Sequence, residues 1–466
     1  MRTIFTLLSI LIGFGANTFA QNQTMFKGGV TEISAKTDTS AVEYAIYLPE
    51  NYSVSKPSKA LFVFDPNGDG MRAVRLFVSA NAGKDHVIVA NTSPISASLD
   101  SLDVNAEMAI NIIRDVFTKV TLDTKQIYLT GMGAGAKTAS ALSYVFKNIS
   151  GILLIDDVYF EDKFLVQARR NAVIGVVGES SPNYYQMADF FQMMRNLNKY
   201  NELYTYSSSG EWPNASFLGV LLNRLNHFNS KKNSLEISDS LWQENYKEDL
   251  SGLRIFVNSK DYLTTYDLSR DLKSDYRGKV ELDSLKDFYR SLRKSDVYKN
   301  AKRADKTRNV EEILLLDDIS YFLEVDILSA NFENLGYWDN RIKEFKDSEK
   351  NSQKQNEQQV SKRMLGYIDF TLEDFLLNKN ALLPQRIFAN VLRTMLDAKD
   401  YQAYLNIISL SAEDNDDNTA YFYLEELLKQ GYTDYDSLYE IPQTTVLKIK
   451  PTYNLLINKY LGKSKF

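Results

Sequence analysis

Gln126-Ile127-Tyr128-Leu129-Thr130-Gly131-Met132-Gly133-Ala134-Gly135-Ala136-Lys137 passes from an apolar, β-prone run through three alternating glycines into a helical pattern carried by Thr138, Ala139, Leu142 and Val145. A buried strand followed at once by Gly-x-x-x-Gly and a helix describes a sharp strand-turn-helix junction. The outer glycines, Gly131 and Gly135, let the backbone pass close to its neighbours. The central residue, Gly133, stands where a strand-to-helix turn presents a side chain to solvent, and it has none.

Short apolar runs lie on both sides of this junction. Val42 to Leu48 alternates, Ala60 to Phe64 is a buried run ending at Asp65-Pro66, and Val87 to Ala90 is another. Ile127 to Thr130, Ile152 to Ile155, Val173 to Val177 and Leu203 to Tyr206 follow. Helical spacing separates several of them: Val104, Met108, Ile112 and Val116, then Met187, Phe190, Met194 and Leu197. Short buried strands alternating with amphipathic helices predict an α/β fold, a mostly parallel sheet covered by helices on both faces.

The chain changes character near residue 230. From 229 to 466 there are six Gly and three Pro in 238 residues. So few helix breakers predict an all-α region. The polar stretch Asn229 to Ser234 reads as a linker. The expected organisation is a signal peptide over 1–20, an α/β domain over 21–228, a linker over 229–234 and a helical-repeat solenoid over 235–466. Within the last part, Lys260-Asp261-Tyr262 and Lys399-Asp400-Tyr401 each open an apolar-periodic helix. Thr419 to Leu428, closed by Gln430-Gly431-Tyr432, resembles the second half of a tetratricopeptide-like repeat. Lys354, Lys362 and Arg363 read as solvated surface.

Arg2, the apolar run Ile4 to Phe14 and Ala20 before Gln21 describe a secretory signal peptide, with cleavage after Ala20. The chain has no Cys, so disulfides, thiol chemistry and lipidation through cysteine are excluded. Export without disulfides points to a periplasmic or secreted protein of the bacterial envelope. The net charge of −6 excludes the basic face that phosphate-backbone binding needs. No cofactor, no nucleic acid and no transmembrane anchor after cleavage are expected.

The junction around Gly133 has the context of a nucleophile elbow, Gly-x-Ser-x-Gly. From these residues the chain over roughly 26 to 228 resembles the α/β-hydrolase family, in particular its esterase-like and dienelactone-hydrolase-like members. The resemblance places an oxyanion-hole loop at Asp65-Pro66-Asn67-Gly68-Asp69-Gly70. It places the acid-bearing loop at Gly178-Glu179-Ser180-Ser181 and the His-bearing loop at Gly210-Glu211-Trp212-Pro213. The three triad positions it implies are Gly133, Ser181 and Gly210, none of which carries the expected group. A vestigial pocket is expected at Asn67, the Ala134 N–H, Glu179, Glu211 and Trp212.

The chain's two histidines do not replace the missing base. His86 sits at the wrong edge of the sheet, and His227 lies far along the helix that begins near Pro213. The reading is a catalytically degenerate hydrolase fold acting in protein–protein interaction or scaffolding, with its partner bound through the helical region. One alternative is a serine esterase or peptidase using Ser181 or Ser208. Another is a small-ligand or calcium-binding module, since Asp65 to Gly70 matches the opening of a calcium loop although residue 76 is Leu. A phosphate-binding reading of Gly131 to Lys137 is weaker, and Lys137 reads as a helix-surface residue.

Overall fold

The computed structural model describes residues 25–36, 41–80, 82–97, 101–160, 171–195, 197, 201–206, 211–233, 236–378 and 380–466. The expected signal peptide, Ser208 and Gly210 lie outside these residues. The chain divides into two compact units, 1–306 and 307–466.

The first unit is built on one eight-stranded sheet: β1 Val30–Lys36, β2 Ala41–Tyr47, β3 Ser58–Phe64, β4 His86–Asn91, β5 Leu122–Met132, β6 Ile149–Ile155, β7 Ala172–Gly178 and β8 Asn201–Tyr206. The strand order is β1-β2-β4-β3-β5-β6-β7-β8. β2 pairs antiparallel with both β1 and β4, and every other pairing is parallel. The seven expected strands are all present. The edge strand β1, Val-Thr-Glu-Ile-Ser-Ala-Lys, escaped the sequence reading because its polar residues dilute the apolar signal.

Helices cover both faces of the sheet. Side chains alternate along a strand, so β3 sends Ala60, Phe62 and Phe64 into one core and Leu61 and Val63 into the other. The first core is closed by buried residues of three helices in this unit that bracket the elbow strand. Those on the second face begin with α1, Gly70–Ser79. Next in the chain come α2 Leu102–Lys119, α3 Ala134–Val145 and α4 Tyr184–Arg195, which close the first core. Along α2 the buried stripe runs Ala106, Ala109, Ile112, Ile113 and Val116, so Val104 of the expected stripe stands exposed. Then α5, Ala215–Asn233, lies on the second face beside α1.

Two expectations about organisation are corrected here. The expected linker 229–234 is helical through Asn233, because α5 continues past the polar residues with Phe228 and Asn229 buried. The sheet's second core also takes in α6 Asp239–Asn258, α7 Tyr262–Asp275 and α8 Asp283–Lys294 through Trp242, Phe256, Leu268, Leu272, Tyr276 and Leu285. These three helices belong to the sheet-containing unit rather than to a separate repeat region.

A buried ionic cluster fastens them. The Arg224 guanidinium on α5 meets Glu202 at 2.9 Å, Asp271 at 3.0 Å and Asp275 at 3.3 Å, and donates to the Tyr204 hydroxyl at 2.6 Å. One arginine thus ties β8 and α7 to α5. Beside it, Asp249 accepts from Asn223 Nδ2 at 2.9 Å and Tyr276 Oη at 2.5 Å. Removing one partner from such a buried set costs about 3–5 kcal/mol, because the remaining charges stay desolvated.

Among the described residues of the second unit, the regular elements are helices joined by short turns. A 34-residue helix, α9 Asp296–Ser329, runs through the division. It is followed by α10 Leu335–Asn351, α11 Gln355–Leu376, α12 Leu383–Leu396, α13 Tyr401–Glu413, α14 Asp417–Lys429, α15 Tyr435–Glu440, α16 Thr445–Lys448 and α17 Pro451–Leu461. The expected helix starts carry side-chain caps: Asp261 accepts from Thr264 N at 3.0 Å and Asp400 from Ala403 N at 3.1 Å. Gly431 (φ +91°) ends α14, as its place in the sequence implies. Arg363, expected on the surface, is buried on α11 and forms a two-pronged pair with Glu312 of α9, Nε–Oε1 2.5 Å and Nη2–Oε2 2.7 Å.

Burial gives the first unit an opposed pH response. It raises the Asp249 carboxyl to about 8, against the two hydrogen bonds that favour its charged form. Burial lowers the His227 imidazole to about 3. A raised carboxyl contributes stability that declines as pH climbs from about 4 to about 8, whereas a depressed His contributes stability lost as pH falls from about 6.5 to about 3. Asp249→Asn keeps the size and can keep both hydrogen bonds, since the amide donates to Tyr276 Oη and accepts from Asn223. The fall in melting temperature between pH 5 and pH 8 should be smaller in this variant than in the parent. Equal falls would show that Asp249 does not carry the alkaline slope.

Candidate active-site region at the elbow

The elbow lies where the sequence places it, at the carboxyl end of the central strand β5. Its backbone is tied across β6 by Gly133 N–H donating to Ile155 O at 2.9 Å. Gly133 adopts φ +52°, ψ −123° and acts as the N-cap of α3. Each glycine has its own steric reason. A Cβ on Gly131 would lie 2.2 Å from the Gly135 carbonyl carbon and oxygen, and a Cβ on Gly135 would lie 1.9 Å from Phe64 O. A Cβ on Gly133 would meet nothing within 4 Å. The turn therefore leaves open space at the position where a nucleophile would project, and Gly133 itself brings no side chain to it.

The N-terminal turn of α3 supplies backbone N–H donors at the elbow. Ala136 and Lys137 N–H both donate to Gly133 O, at 2.8 and 3.1 Å. Ala134, the first helical residue, has no intrahelical acceptor for its N–H. Asn67, expected in the pocket, is exposed, and its N–H donates to Asp65 Oδ1 at 3.0 Å.

Polar groups along the carboxyl edge are committed to one another. Asp65 accepts from Asn67 and Asp69 N–H through Oδ1, each at 3.0 Å, and from Trp212 Nε1 through Oδ2 at 2.9 Å. Those converging N–H donors have the opposite polarity to a calcium site, so Asp65 acts as the organiser of the turn. Trp212, expected to line a pocket, instead latches the segment before α5 onto β3 and packs edge-on against Phe77 at 5.4 Å.

Asp156, at the end of β6 with φ +60°, accepts from Gly178 N–H at 2.6 Å and lies 2.8 Å from Tyr206 Oη. That hydroxyl also lies 2.7 Å from Glu211 O and can donate to one acceptor at a time. Glu179 N–H donates to Tyr206 O at 2.8 Å. Ser181 is 1% exposed, and its hydroxyl accepts from Asn183 N–H at 3.3 Å in the turn before α4. It shapes that turn and is not a free hydroxyl at the elbow.

Two groups here were missed or misread from sequence. Lys137, expected on a helix surface, is buried, with its ammonium 3.3 Å from Asp157 Oδ2. Burial raises the Asp157 carboxyl to about 7, against the pull of Lys137. No local pattern marks this pair, since its members lie 20 positions apart.

The two histidines lie elsewhere. His86 opens β4 and is paired in register with Lys59 of β3, five residues before Phe64, which faces Gly131 of the elbow. At about 3.3 Å per residue that is roughly 16 Å of strand. Its Nδ1 lies 2.6 Å from Asp85 Oδ1. A cavity of about 560 Å³ opens at this amino edge, where Lys59 pairs with Asp85 at 2.7 Å and Lys84 with Glu244 at 2.6 Å. His227 is fully buried between Trp242 and Tyr276, at 4.4 and 5.0 Å between ring centres, with no hydrogen-bond partner for either ring nitrogen among the described residues. It is a core residue held neutral.

No family model and no curated protein matches the chain. Among solved structures, it is similar to a thermostable esterase (12% identity, 43% of this chain, 62% of that chain, TM-score 0.36). It is similar also to a ferulic acid esterase (11% identity, 43% of this chain, 98% of that one, TM-score 0.35). A third likeness is to fungal esterases from Rhizomucor miehei (13% identity, 44% of this chain, 84% of that chain, TM-score 0.34). The chain spans 62% of the thermostable esterase, and each match covers under half of this chain.

The three elbow glycines should differ sharply when substituted. Gly135→Ala drives a methyl into a backbone carbonyl and should cost about 3 kcal/mol or more, or prevent folding. Gly133→Ala meets no neighbour and carries only the backbone cost of a positive φ, about 1–3 kcal/mol. Urea unfolding of the two variants checks this, and equal losses would contradict the assigned close approach.

Proposed function

We propose that the chain is an exported, non-catalytic α/β-hydrolase-like protein that acts in protein–protein interaction or scaffolding at the bacterial cell envelope. The observation that carries this reading is Gly133: an elbow with the open space for a nucleophile, occupied by a residue that has no side chain. Nucleophilic acyl transfer needs a hydroxyl or thiol activated by a base within hydrogen-bond reach. The chain has no Cys and only two His, one at the opposite edge of the sheet and one sealed in the aromatic core. Loss of triad members costs about 10⁴- to 10⁶-fold in turnover, which leaves at most a weak contribution from the Ala134 N–H. The export component rests on the N-terminal sequence. The interaction component rests on the helical second unit, where the tetratricopeptide-type likeness belongs.

Hydrolysis of an activated aryl ester by the full chain should stay at the buffer rate. Gly133→Ser, which restores a hydroxyl at the elbow without a base, should raise it by no more than about tenfold. Turnover by the parent chain that disappears in Ser181→Ala or Ser208→Ala would overturn the non-catalytic reading in favour of an unrecognised serine hydrolase.

A further inference from the structure

Helix α9 is apolar on two opposite faces. One face is satisfied: Ile319, Leu323 and Ile327 are buried, and the Glu312–Arg363 pair bolts that side to α11. The other is not. Leu314, Tyr321 and Leu328 recur at seven-residue spacing and are 61%, 64% and 56% exposed, with Val310 and Val325 on the same stripe. The stripe continues past the helix end. Gln385 Nε2 donates to Leu328 O at 2.7 Å, which brings in the start of α12, where Leu382 is 65% exposed. A single exposed leucine is ordinary, but a heptad row on one helix is the geometry of one half of a helix–helix seam.

Charge selects the occupant. Residues 310–340 contain eight Asp and Glu and not one Lys or Arg, in a chain whose whole net charge is −6. Glu312 and Asp326 are buried on the satisfied side, whereas Glu311, Asp317, Asp318, Glu324 and Glu333 are exposed around the stripe. An antiparallel second copy seated stripe on stripe would bring these like charges together, and an anionic membrane would be repelled. Six half-exposed side chains of roughly 150–200 Å² each leave on the order of 500 Å², below the ~800 Å² per partner of a standard interface and suited to one helix.

We infer that this face of α9 is a docking groove for an amphipathic helix whose apolar stripe is flanked by Lys and Arg, supplied by another protein. The leucines and Tyr321 fill the seam, and the flanking carboxylates set orientation and exclude acidic helices. The inference deepens the interaction reading above and rests on it.

The test measures fluorescence anisotropy of labelled 18-residue helical peptides with the full chain. One peptide carries Leu at heptad positions with Lys flanks, and its twin carries Glu in place of Lys. The Lys-flanked peptide should bind at least tenfold more tightly than its twin, and salt should weaken it. Leu314→Asp with Leu328→Asp should reduce that affinity at least tenfold while leaving the urea midpoint unchanged, since both side chains are exposed. Asp317→Lys with Glu324→Lys should shift preference toward the Glu-flanked peptide. Failure of both peptides to bind, equal binding of the two, or binding indifferent to the leucine variants overturns the inference. So does stripe-dependent self-association in sedimentation. None of these outcomes touches ester turnover, which tests the non-catalytic reading separately.

Discussion

The first unit depends on the close approach of a helix N-terminus to the ends of two strands. Gly135 sits so near Phe64 O that a methyl there would overlap the carbonyl, and Gly131 sits equally tight against Gly135. This contact sets where α3 leaves β5, and with it the position of Gly133 above the sheet's carboxyl edge. A side chain at the φ of Gly133 would carry about 1–3 kcal/mol of backbone strain. With glycine there, the turn keeps its geometry without that strain.

The polar groups around the joint follow the same logic. At a working acyl-transfer site, an acid orients a base and N–H donors face a developing oxyanion. Here Asp65 gathers the N–H groups of its own turn and the Trp212 indole, Asp156 joins the ends of β6, β7 and β8, and Asp157 lies 3.3 Å from the Lys137 ammonium. Each carboxylate links one strand end to another element. Among the described residues these carboxylates fasten the strand ends, and an exposed apolar stripe framed by acids lies on α9.

Much of this was legible in the sequence, for physical reasons that also explain what was not. Strands buried on both faces must be apolar throughout, so β3 to β7 stand out as short uninterrupted runs. The strand-to-glycine-to-helix transition is local and survives translation into three dimensions. β1 is an edge strand with one half-polar face and lacks that signature. The helices α6 to α8 have ordinary amphipathic spacing, and nothing in spacing says that Trp242 and Phe256 meet the sheet rather than another helix. Buried charges are the least legible. Arg363 and Lys137 are indistinguishable from surface residues until Glu312 and Asp157, 51 and 20 positions away, are placed beside them. The polar run after Phe228 misleads for a related reason: Asn229 is buried because Tyr128 and Lys125, about a hundred residues earlier, offer it hydrogen-bond partners.

The central claim is that no side chain of this fold acts as an activated nucleophile. It is tested most directly by incubating the folded full chain with a fluorophosphonate, which reacts with activated serines, and reading the intact mass. The account predicts an unmodified mass under conditions that fully label a serine esterase control. A stoichiometric adduct mapped to one serine, formed by the folded chain and lost on unfolding, would contradict it.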